Sequence, residues 1–159
     1  MSLRIRDADL ARDAETLHRF ILACNTYEAE FEPDRRLNAG AGGAYLPDLV
    51  DRVKNQQGRI LIAEDASTPI GWAACYVDRH EAFVKEDERS FGYVAEMFVD
   101  EAYRGRHVGR ALLTACEDHF RTLGLKTALI ATLSRNLRAA NAYRSSGYTD
   151  YAINLRKIL

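Results

Sequence analysis

Apolar and polar positions alternate with different periods at the start of the chain, and the periods separate a strand from a helix. Residues 3–6 alternate apolar and charged side chains, which predicts a short first strand. Apolar residues then recur at helical spacing, which predicts a first helix that begins near Asp9 and reaches about Cys24. The positions that form this stripe are Leu10, Ala14, Leu17, Ile21 and Leu22.

The next segment combines a glycine-rich stretch with a second amphipathic pattern. Residues 38–44 contain mainly glycine and alanine, and this composition predicts a mobile loop. Residues 46–55 follow the helical period with Leu49 and Val53 directed inward. Pro47 fits the first turn of that helix, where its missing N–H costs no hydrogen bond.

The middle of the chain predicts three strands. Residues 59–64 are apolar on both faces, which is typical of a central strand. A turn at residues 67–69 leads into a long strand over residues 70–78, and the two strands are predicted to form an antiparallel hairpin. A charged loop over residues 80–90 precedes a third strand at residues 93–99.

Helices and strands alternate in the last third. A helix is predicted over residues 108–123, with Gly124 as its C-terminal cap. Its predicted inner stripe consists of Val108, Leu112, Ala115, His119 and Leu123. A strand apolar on both faces follows at residues 127–132.

The C-terminal segment repeats this arrangement. Asn136 is predicted to cap a last helix that runs to about Ser145 and ends at Gly147, and residues 148–155 are predicted to return as a strand. The order β-α-α-β-β-β-α-β-α-β predicts a mixed α/β fold, with a twisted sheet that carries helices on both faces. With neither an internal repeat nor a composition break, residues 1–159 are predicted to form one domain.

Composition limits the classes of function. A formal net charge of −1 gives the 159-residue chain no bulk attraction to nucleic acid or to an anionic membrane. No apolar run reaches the roughly 20 residues of a membrane span, and a signal peptide is not recognisable. The three cysteines, Cys24, Cys75 and Cys116, are scattered and odd in number. They predict free, mostly buried thiols and a cytoplasmic protein.

A basic turn between the strand at residues 93–99 and the helix at residues 108–123 carries the main chemical signal. A helix N-terminus offers unpaired N–H groups and partial positive charge to one spot. Arg104, Arg106 and Arg110 add full charges that suit phosphate oxygens. The segment therefore predicts a site for a diphosphate group.

Two sequence blocks resemble the GNAT superfamily of N-acetyltransferases, and the likeness covers nearly the whole chain. Residues 99–113 are similar to the coenzyme A signature of that family, which has Gln or Arg, two residues, Gly, one residue, then Gly or Ala. Residues 136–148 are similar to its later helix with Asn, Ala and Tyr that ends in Gly and an aromatic residue. The resemblance implies the GNAT fold, with a sheet of six to seven strands, and acetyl-CoA as cosubstrate without a metal.

One residue departs from the signature. With Arg104 as its first residue, His107 stands where the family usually has its first Gly. If position 107 needs a positive φ, His is one of the better non-glycine residues for it, and its N–H still faces the phosphate. A catalytic or metal-binding role for His107 is the alternative.

The resemblance also assigns the remaining site residues. It implies that the backbone of Met97, Phe98 and Val99 pairs with the pantetheine arm and that one N–H polarises the acetyl carbonyl. The coenzyme A turn would comprise Arg104, Gly105, Arg106, His107, Val108, Gly109 and Arg110, and Asn136 would also bind the cofactor. Tyr143 matches the general acid that protonates the departing thiolate. An aromatic residue that only packs on a helix face is the alternative for Tyr143.

The acceptor amine must lose a proton before it attacks the thioester. Glu96 is the best candidate for the base, because it is a charge within an otherwise apolar strand beside the reaction centre. Tyr93 or a bound water could take its place, and Glu96 could instead be a solvent-facing strand residue.

The acceptor is predicted to be a primary amine of a small molecule or peptide. In the family the acceptor site is lined by the first two helices and two loops. Here these segments carry Glu28, Glu30, Glu32, Asp34, Glu81, Glu86, Asp87 and Glu88. This acidic surround suggests a cationic acceptor, although interleaved arginines and lysines also fit a solvated surface.

Three other readings compete with an enzyme of this family. A sensor that binds acyl-CoA without catalysis would keep the turn and lose Tyr143, whereas this chain has both. A nucleic-acid-binding domain would need a basic surface that the net charge of −1 does not support. A metal site at Cys116 and His119 lacks a second ligand pair. The resemblance makes a homodimer the default expectation.

Overall fold

A computed structural model describes residues 2–38 and 40–159 of the chain. The strands are β1 Leu3–Asp7, β2 Arg59–Asp65, β3 Thr68–Arg79, β4 Ser90–Val99 and β5 Ala128–Ile130. The helices are α1 Leu10–Glu28, α2 Gly40–Asn55, α3 Val108–Thr122 and α4 Leu137–Ser145. Within the described ranges, no helix combines the length and the apolar character that crossing a membrane requires.

The sheet is mixed, as predicted. Its strands lie in the order β1-β2-β3-β4-β5, the first three pairs being antiparallel and β4–β5 parallel. The central position predicted for residues 59–64 is confirmed, since β2 has a partner on each side and is buried over nearly its whole length. The described residues form five strands, so the expected count of six to seven was too high.

Two apolar clusters cover the two faces of the sheet, and helices lie on both faces as predicted. On one face, α1 and α2 bury Leu17, Phe20 and Leu49 against Trp72 of β3. On the other, α3 buries a second set of side chains against β2, β3 and β4. Helices predicted at separate places in the sequence therefore share one sheet between them.

The hairpin between β2 and β3 turns one residue earlier than the sequence indicated. Asp65 pairs with Thr68, so Ala66 and Ser67 form a two-residue loop. Their φ angles of 46° and 73° are both positive. This is the pattern of a type I′ turn, whose twist matches that of antiparallel strands.

The first helix begins as predicted and ends later. Asp9 caps α1, because its side chain accepts a hydrogen bond from the Ala11 N–H at 3.0 Å. The helix continues to Glu28 rather than stopping near Cys24. The extra turn carries Tyr27 and Glu28 to the rim of a cleft described below.

The predicted loop at residues 38–44 is wrong for residues 40–44, which form the start of α2. Ala39 lies outside the described residues. Pro47 is consequently inside the helix and not in its first turn. One of the glycines that suggested a loop serves packing: a Cβ on Gly42 would lie 2.8 Å from Cδ2 and 3.0 Å from Cα of His18. Close approach of α1 and α2 requires glycine there, and this tertiary contact overrides local propensity.

The inner face of α3 is rotated from the predicted stripe. Val108 and Leu112 are buried as expected, and Leu113, Cys116 and Phe120 complete the buried set. His119 instead faces outward, where its Nε2 lies 2.7 Å from the Gln57 carbonyl oxygen. Gly124 ends the helix with φ of 74°, as its role of cap predicted.

The C-terminal strand predicted over residues 148–155 is absent from the described structure, and the strand predicted over residues 127–132 is shortened to Ala128–Ile130. Only three residue pairs join β4 to β5 before the two strands separate. A strand so short gives a following segment little edge to pair with. The last residues are held partly by ion pairs, among them Arg156 with Glu32 and Asp34.

A buried ion network ties the first strand to the first helix. Arg6 of β1 donates two hydrogen bonds to Asp13 at 2.6 and 2.9 Å, and its Nε donates to Glu64 of β2 at 2.6 Å. The Asp9 N–H gives Asp13 a further hydrogen bond at 2.8 Å. The Arg6 guanidinium holds the pKa of Asp13 well below its usual range, so the network stabilises the fold above about pH 4 and loses that contribution as the pH falls.

We expect Arg6→Ala to lower the free energy of unfolding by about 3–5 kcal/mol, because it leaves two carboxylates in the interior without their counter-charge. Urea unfolding at pH 7 measures the effect. Arg59→Ala is the matched control, since Arg59 pairs with Asp7 through two hydrogen bonds near the surface. That exposed pair should cost about 1 kcal/mol or less. Equal losses for the two variants would contradict the role of the buried network.

Candidate active site

An open cleft lies where β4 and β5 separate. Its walls include the last residues of β4, the turn before α3, the first residues of α4 and the facing sides of α1 and α2. The cleft thus contains every residue of the predicted site except Arg106. It also contains Tyr45, which the sequence did not indicate.

One edge of β4 has no strand partner beyond Val94, because pairing with β5 stops there. Successive N–H groups of a strand point to opposite edges. The Asp100 N–H donates to the carbonyl oxygen of Ile70 in β3 at 2.9 Å. By alternation the Phe98 N–H also points to β3. The N–H groups of Met97 and Val99 therefore face the cleft. Of the three residues whose backbone is predicted to pair with the pantetheine arm, two thus have N–H groups available to a ligand.

A β-bulge decides which way Glu96 points. Ala74 of β3 pairs with Glu96 while Cys75 pairs with Val94, so Ala95 is an extra residue without a partner on β3. Strict alternation from Tyr93, which packs on the α1–α2 side, would direct Glu96 to the α3 side. The inserted residue reverses the alternation and turns Glu96 towards α1 and α2.

The turn before α3 exposes a run of main-chain donors. Gly105 and His107 have φ angles of 76° and 64°, and His107 is the N-terminal cap residue of α3. The N–H groups of residues 105–110 donate to no protein acceptor within the described ranges. Six unpaired donors around a helix N-terminus form an anion-binding concavity. Position 107 does adopt the positive φ that the sequence analysis considered for it.

The three arginines of the turn do not share one role. Arg104 folds back from the turn, donating from Nε to the Val99 carbonyl oxygen at 2.9 Å. Its guanidinium carbon lies 4.7 Å from the centre of the Tyr27 ring. Arg104 thereby braces the open end of β4 through its Nε, whereas Arg106 and Arg110 are exposed.

Glu96 lies on the α1–α2 side of the cleft and forms a hydrogen bond with Tyr45 of α2. The Tyr45 hydroxyl donates to Oε1 of Glu96 at 2.5 Å. Burial raises the pKa of Glu96 to about 7, and the Tyr45 hydrogen bond opposes that shift. Burial and the neighbouring Glu96 charge raise the pKa of Tyr45, so the phenol keeps its proton. A carboxylate that titrates near neutrality in a cleft is suited to proton transfer.

Most of the predicted acidic surround is neutralised by internal ion pairs. Arg35 binds Glu28 at 2.6 Å, and the other pairs use surface or loop arginines and a lysine. They are Glu32 with Arg135 and Arg156, Asp34 with Arg35 and Arg156, Glu86 with Arg79 and Arg89, and Asp87 with Lys126. Asp48 and Glu88 also line the cleft, and neither forms an ion pair within the described part of the chain.

Tyr143 of α4 lies on the opposite wall of the cleft. Its ring centre is 6.4 Å from that of Tyr148, and the side chain packs against the cluster beneath α3. Burial raises the pKa of Tyr143, with added contributions from Cys24, Glu28 and Glu96, whose proximity indicates that these groups share one site. The Tyr143 hydroxyl makes no hydrogen bond within residues 2–38 and 40–159, which leaves it available to a ligand.

Asn136 caps α4 and is buried at the cleft wall. Its side-chain oxygen accepts a hydrogen bond from the Ala139 N–H at 3.2 Å. The predicted capping role is therefore confirmed, whereas its predicted contact with the cofactor stays a prediction.

Tyr45 is the site residue that the sequence analysis missed. It directly follows the glycine-rich stretch that was interpreted as a loop. The signal was the spacing of Tyr45, Leu49 and Val53, which continues the helical period back across Pro47.

The metal alternative gains nothing from the geometry. No group of three or more His, Cys, Asp or Glu side chains converges as a metal site would in the described ranges. Cys116 lies against the Cys75 thiol in the core, while the His119 ring nitrogen faces the Gln57 carbonyl oxygen. All three cysteines are free thiols.

Comparison with known proteins agrees with the fold. The Acetyltransferase (GNAT) family model matches residues 15–148. The chain belongs to this family, whose members transfer acetyl groups from acetyl-CoA.

Particular relatives share lower sequence identity or only part of their length with this chain. An "IAA acetyltransferase" of Azospirillum brasilense is 33% identical over 92 residues, which cover 58% of this chain and 55% of that protein. The match thus spans about half of the relative's length. A Bacillus halodurans protein solved as a tetramutant has a TM-score of 0.81 at 18% identity, over 98% of this chain and 99% of that one. AAC(6′)-Iy in complex with the bisubstrate analogue CoA-S-monomethyl-acetylneamine has a TM-score of 0.72 at 16% identity over the full length of both chains.

We expect the positive φ at position 107 to determine which side chains this turn tolerates. His107→Val should lower the free energy of unfolding by about 1–2 kcal/mol, because a β-branched residue fits a φ of 64° poorly. His107→Gly should change it by less than about 1 kcal/mol, since relief of strain offsets the greater freedom of the unfolded chain. Thermal and urea unfolding measure both variants.

Arg106→Val is the matched control for that pair, because Arg106 is an exposed neighbour without a positive φ. It should change the free energy of unfolding by about 0.5 kcal/mol or less. A destabilised His107→Gly variant would contradict the backbone explanation and would indicate that the imidazole itself makes a needed contact.

Proposed function

We propose that the protein transfers the acetyl group of acetyl-CoA to a primary amine by direct attack. The observation that carries this proposal is the open edge of β4, which meets the unpaired N–H groups of residues 105–110 at one end and Glu96 at the other. Acetyl-CoA bound along this edge would have its diphosphate at the turn before α3 and its acetyl group near Glu96.

The turn supports the diphosphate end of the carrier. Main-chain N–H groups at Gly105, His107 and Gly109, with their neighbours, face the cleft unpaired, and a helix N-terminus favours negative charge. Arg110 adds an exposed cation that lines the same cleft. The backbone, more than Arg104, would carry the recognition, because that guanidinium is engaged with the Val99 carbonyl oxygen.

The strand edge supports activation of the thioester. The N–H groups of Met97 and Val99 are directed into the cleft by alternation from Asp100. A fixed main-chain donor at an acetyl oxygen stabilises the oxyanion that forms when an amine attacks, and one such donor is worth about 3–4 kcal/mol.

The phenol of Tyr143 is the proposed general acid. The departing thiolate needs a proton, and an ordinary thiol pKa of about 8.5 lies below that of a phenol at about 10. Burial raises the pKa of Tyr143 further, which keeps the hydroxyl protonated and able to donate a hydrogen bond to sulfur. Its position on the α4 wall, with no protein partner within the described ranges, supports this role.

Glu96 is the proposed general base. An alkylamine with a pKa of about 10.4 is protonated at pH 7, and removing that proton costs about 4.6 kcal/mol. A carboxylate whose pKa is raised to about 7 by burial is a stronger acceptor of the proton than a carboxylate in water. The ammonium proton passes to Glu96, nitrogen binds the acetyl carbon, and the carbon–sulfur bond breaks as Tyr143 protonates sulfur. The second proton that nitrogen loses on forming the amide returns to the Tyr143 phenolate, and Glu96 releases its proton to solvent.

The acceptor is proposed to be a small-molecule or peptide amine. The name of AAC(6′)-Iy's bisubstrate analogue, which joins CoA to an acetylneamine, supports a compact amine in this fold. A cationic acceptor has narrower support, since only Asp48, Glu88 and Glu96 line the cleft without an internal ion pair among the described residues. A cytoplasmic location and a homodimer stay predictions.

The proposal is tested with a panel of acceptors incubated with acetyl-CoA and the full chain. The panel contains a polyamine, an aminoglycoside, an amino sugar phosphate and a peptide with a free N-terminus. Free thiol release is followed by colour formation and the acetylated product by mass spectrometry. We expect thiol release that matches acetylated amine for at least one amine. Binding of acetyl-CoA without transfer to any amine would instead favour a sensor.

We expect Tyr143→Phe to lower turnover about 100-fold while the affinity for acetyl-CoA changes less than about twofold. The hydroxyl acts in the reaction and contributes little to binding of the intact thioester. Steady-state kinetics and calorimetry measure the two effects. Tyr148→Phe is the control, because the Tyr148 hydroxyl is buried and makes no hydrogen bond within the described ranges. Unchanged turnover in Tyr143→Phe would remove this residue from the mechanism.

We expect Gly109→Trp to weaken acetyl-CoA binding by about tenfold or more, because an indole would cover the unpaired N–H groups of the turn. Gly109→Ala is the control: a Cβ there would have only Val99 Cγ2 within 4 Å, at 3.8 Å. The alanine should keep both fold and binding. If calorimetry finds equal affinity for the two variants, the diphosphate does not bind at this turn.

A further inference from the structure

We propose that Tyr45 is a positioning residue that fixes the Glu96 carboxylate for proton transfer from the acceptor amine. The inference rests on the proposed function, because it concerns the base of that reaction. It goes beyond it by assigning the orientation of the base to a side chain on α2.

The hydrogen bond between the two residues has the geometry of a charge-assisted contact. The phenolic oxygen lies 2.5 Å from Glu96 Oε1, within the range of an O–H donor on an ionised carboxylate. Oε2 of Glu96 makes no hydrogen bond within the described ranges. Tyr45 therefore occupies one carboxylate oxygen and leaves the other for the amine.

Packing of α2 onto α1 determines where the phenol stands. Tyr45 lies one helical turn after Gly42, whose missing Cβ lets α2 approach His18 of α1. Its ring packs beside the cluster that contains Phe98 and Trp72, so the hydroxyl is held at a fixed height above β4. The bulge at Ala95 brings Glu96 to the same face from the strand side. Two independent elements thus converge on one hydrogen bond.

Charged and titratable groups from each neighbouring element act on Glu96. Glu28 of α1 raises the pKa of Glu96, and Arg35 from the following loop lowers it. Burial raises the pKa values of Cys24 of α1, Tyr93 of β4 and Tyr143 of α4, and the Glu96 charge adds to each shift. None of these groups forms a hydrogen bond with the carboxylate within residues 2–38 and 40–159, whereas Tyr45 does.

The direction in which Tyr45 shifts the pKa of Glu96 follows from these contacts. A hydrogen bond donated to the ionised carboxylate favours that form and lowers its pKa. Its removal should raise the pKa of Glu96 and also free the carboxylate to rotate. Since the base must be ionised to act, activity would then begin to rise at a higher pH and reach a lower plateau.

The test compares pH profiles of kcat/KM for wild type and Tyr45→Phe with one acceptor amine, so that the acceptor's own titration is common to both. We expect the low-pH limb to move up by about one pH unit and kcat to fall about tenfold, with KM for acetyl-CoA unchanged. The ring of phenylalanine keeps the packing of Tyr45. Tyr76→Phe is the matched control, because Tyr76 belongs to the same cluster and its hydroxyl binds Arg52 instead of Glu96.

A titration that does not depend on activity completes the experiment. The side-chain carboxyl carbon of Glu96 is followed by 13C NMR in wild type, Tyr45→Phe and Tyr76→Phe, and assigned by its loss in Glu96→Gln. A higher midpoint in Tyr45→Phe alone supports the inference. The same midpoint in all three proteins overturns it.

Failure of the proposed function gives a different result from failure of the inference. If Glu96→Gln keeps the wild-type pH profile, Glu96 is not the base and the inference falls with that assignment. If Glu96→Gln loses the low-pH limb while Tyr45→Phe leaves it unmoved, Glu96 remains the base and the role of Tyr45 is overturned.

Discussion

Separation of β4 from β5 is the constraint on which the rest of the site depends. Parallel pairing stops after Val94, and β4 continues to Val99 with one edge open to the cleft. Main-chain N–H groups are strong donors that seldom remain unpaired in a protein interior. An extended ligand with matching acceptors can satisfy them, so the open edge is both a local cost to folding and the basis of binding. Arg104 limits that cost by donating to the Val99 carbonyl oxygen.

Two irregularities of the backbone adapt this framework to chemistry. The bulge at Ala95 turns Glu96 from the α3 side of the sheet to the α1–α2 side, where burial raises the pKa of the carboxyl to about 7. The positive φ of His107 allows a tight turn in which the N–H groups of residues 105–110 donate to no protein acceptor within the described ranges. Each device carries a local cost in strain or desolvation, which the packed sheet and α3 overcome.

Much of the fold and part of the site could be predicted from sequence. Periodicity identified β1, α1 and α3, apolar runs identified β2 to β4, and the cap at Asn136 with the end at Gly147 identified α4. The basic turn and the Asn136 cap were recognisable from local chemistry alone. The start of α2 could not be recognised, since its glycines are selected by the contact of Gly42 with His18. Tyr45 was missed for the same reason, and the length of β5 depended on pairing that local sequence does not encode.

The sequence by itself determined the order of the elements as far as α4, the membership of a family and most of the residue types that line the cleft. Those properties depend on hydrophobic repeat, turn chemistry and short motifs, which are local. The tertiary structure decided that Arg104 braces β4, that ion pairs neutralise much of the acidic rim, and that Tyr45 meets Glu96. Several of these contacts join residues far apart in the chain, 51 positions for Tyr45 and Glu96 and 124 for Glu32 and Arg156. Their geometry follows from how helices pack on the sheet and from a single inserted residue in β4, neither of which has a local signature.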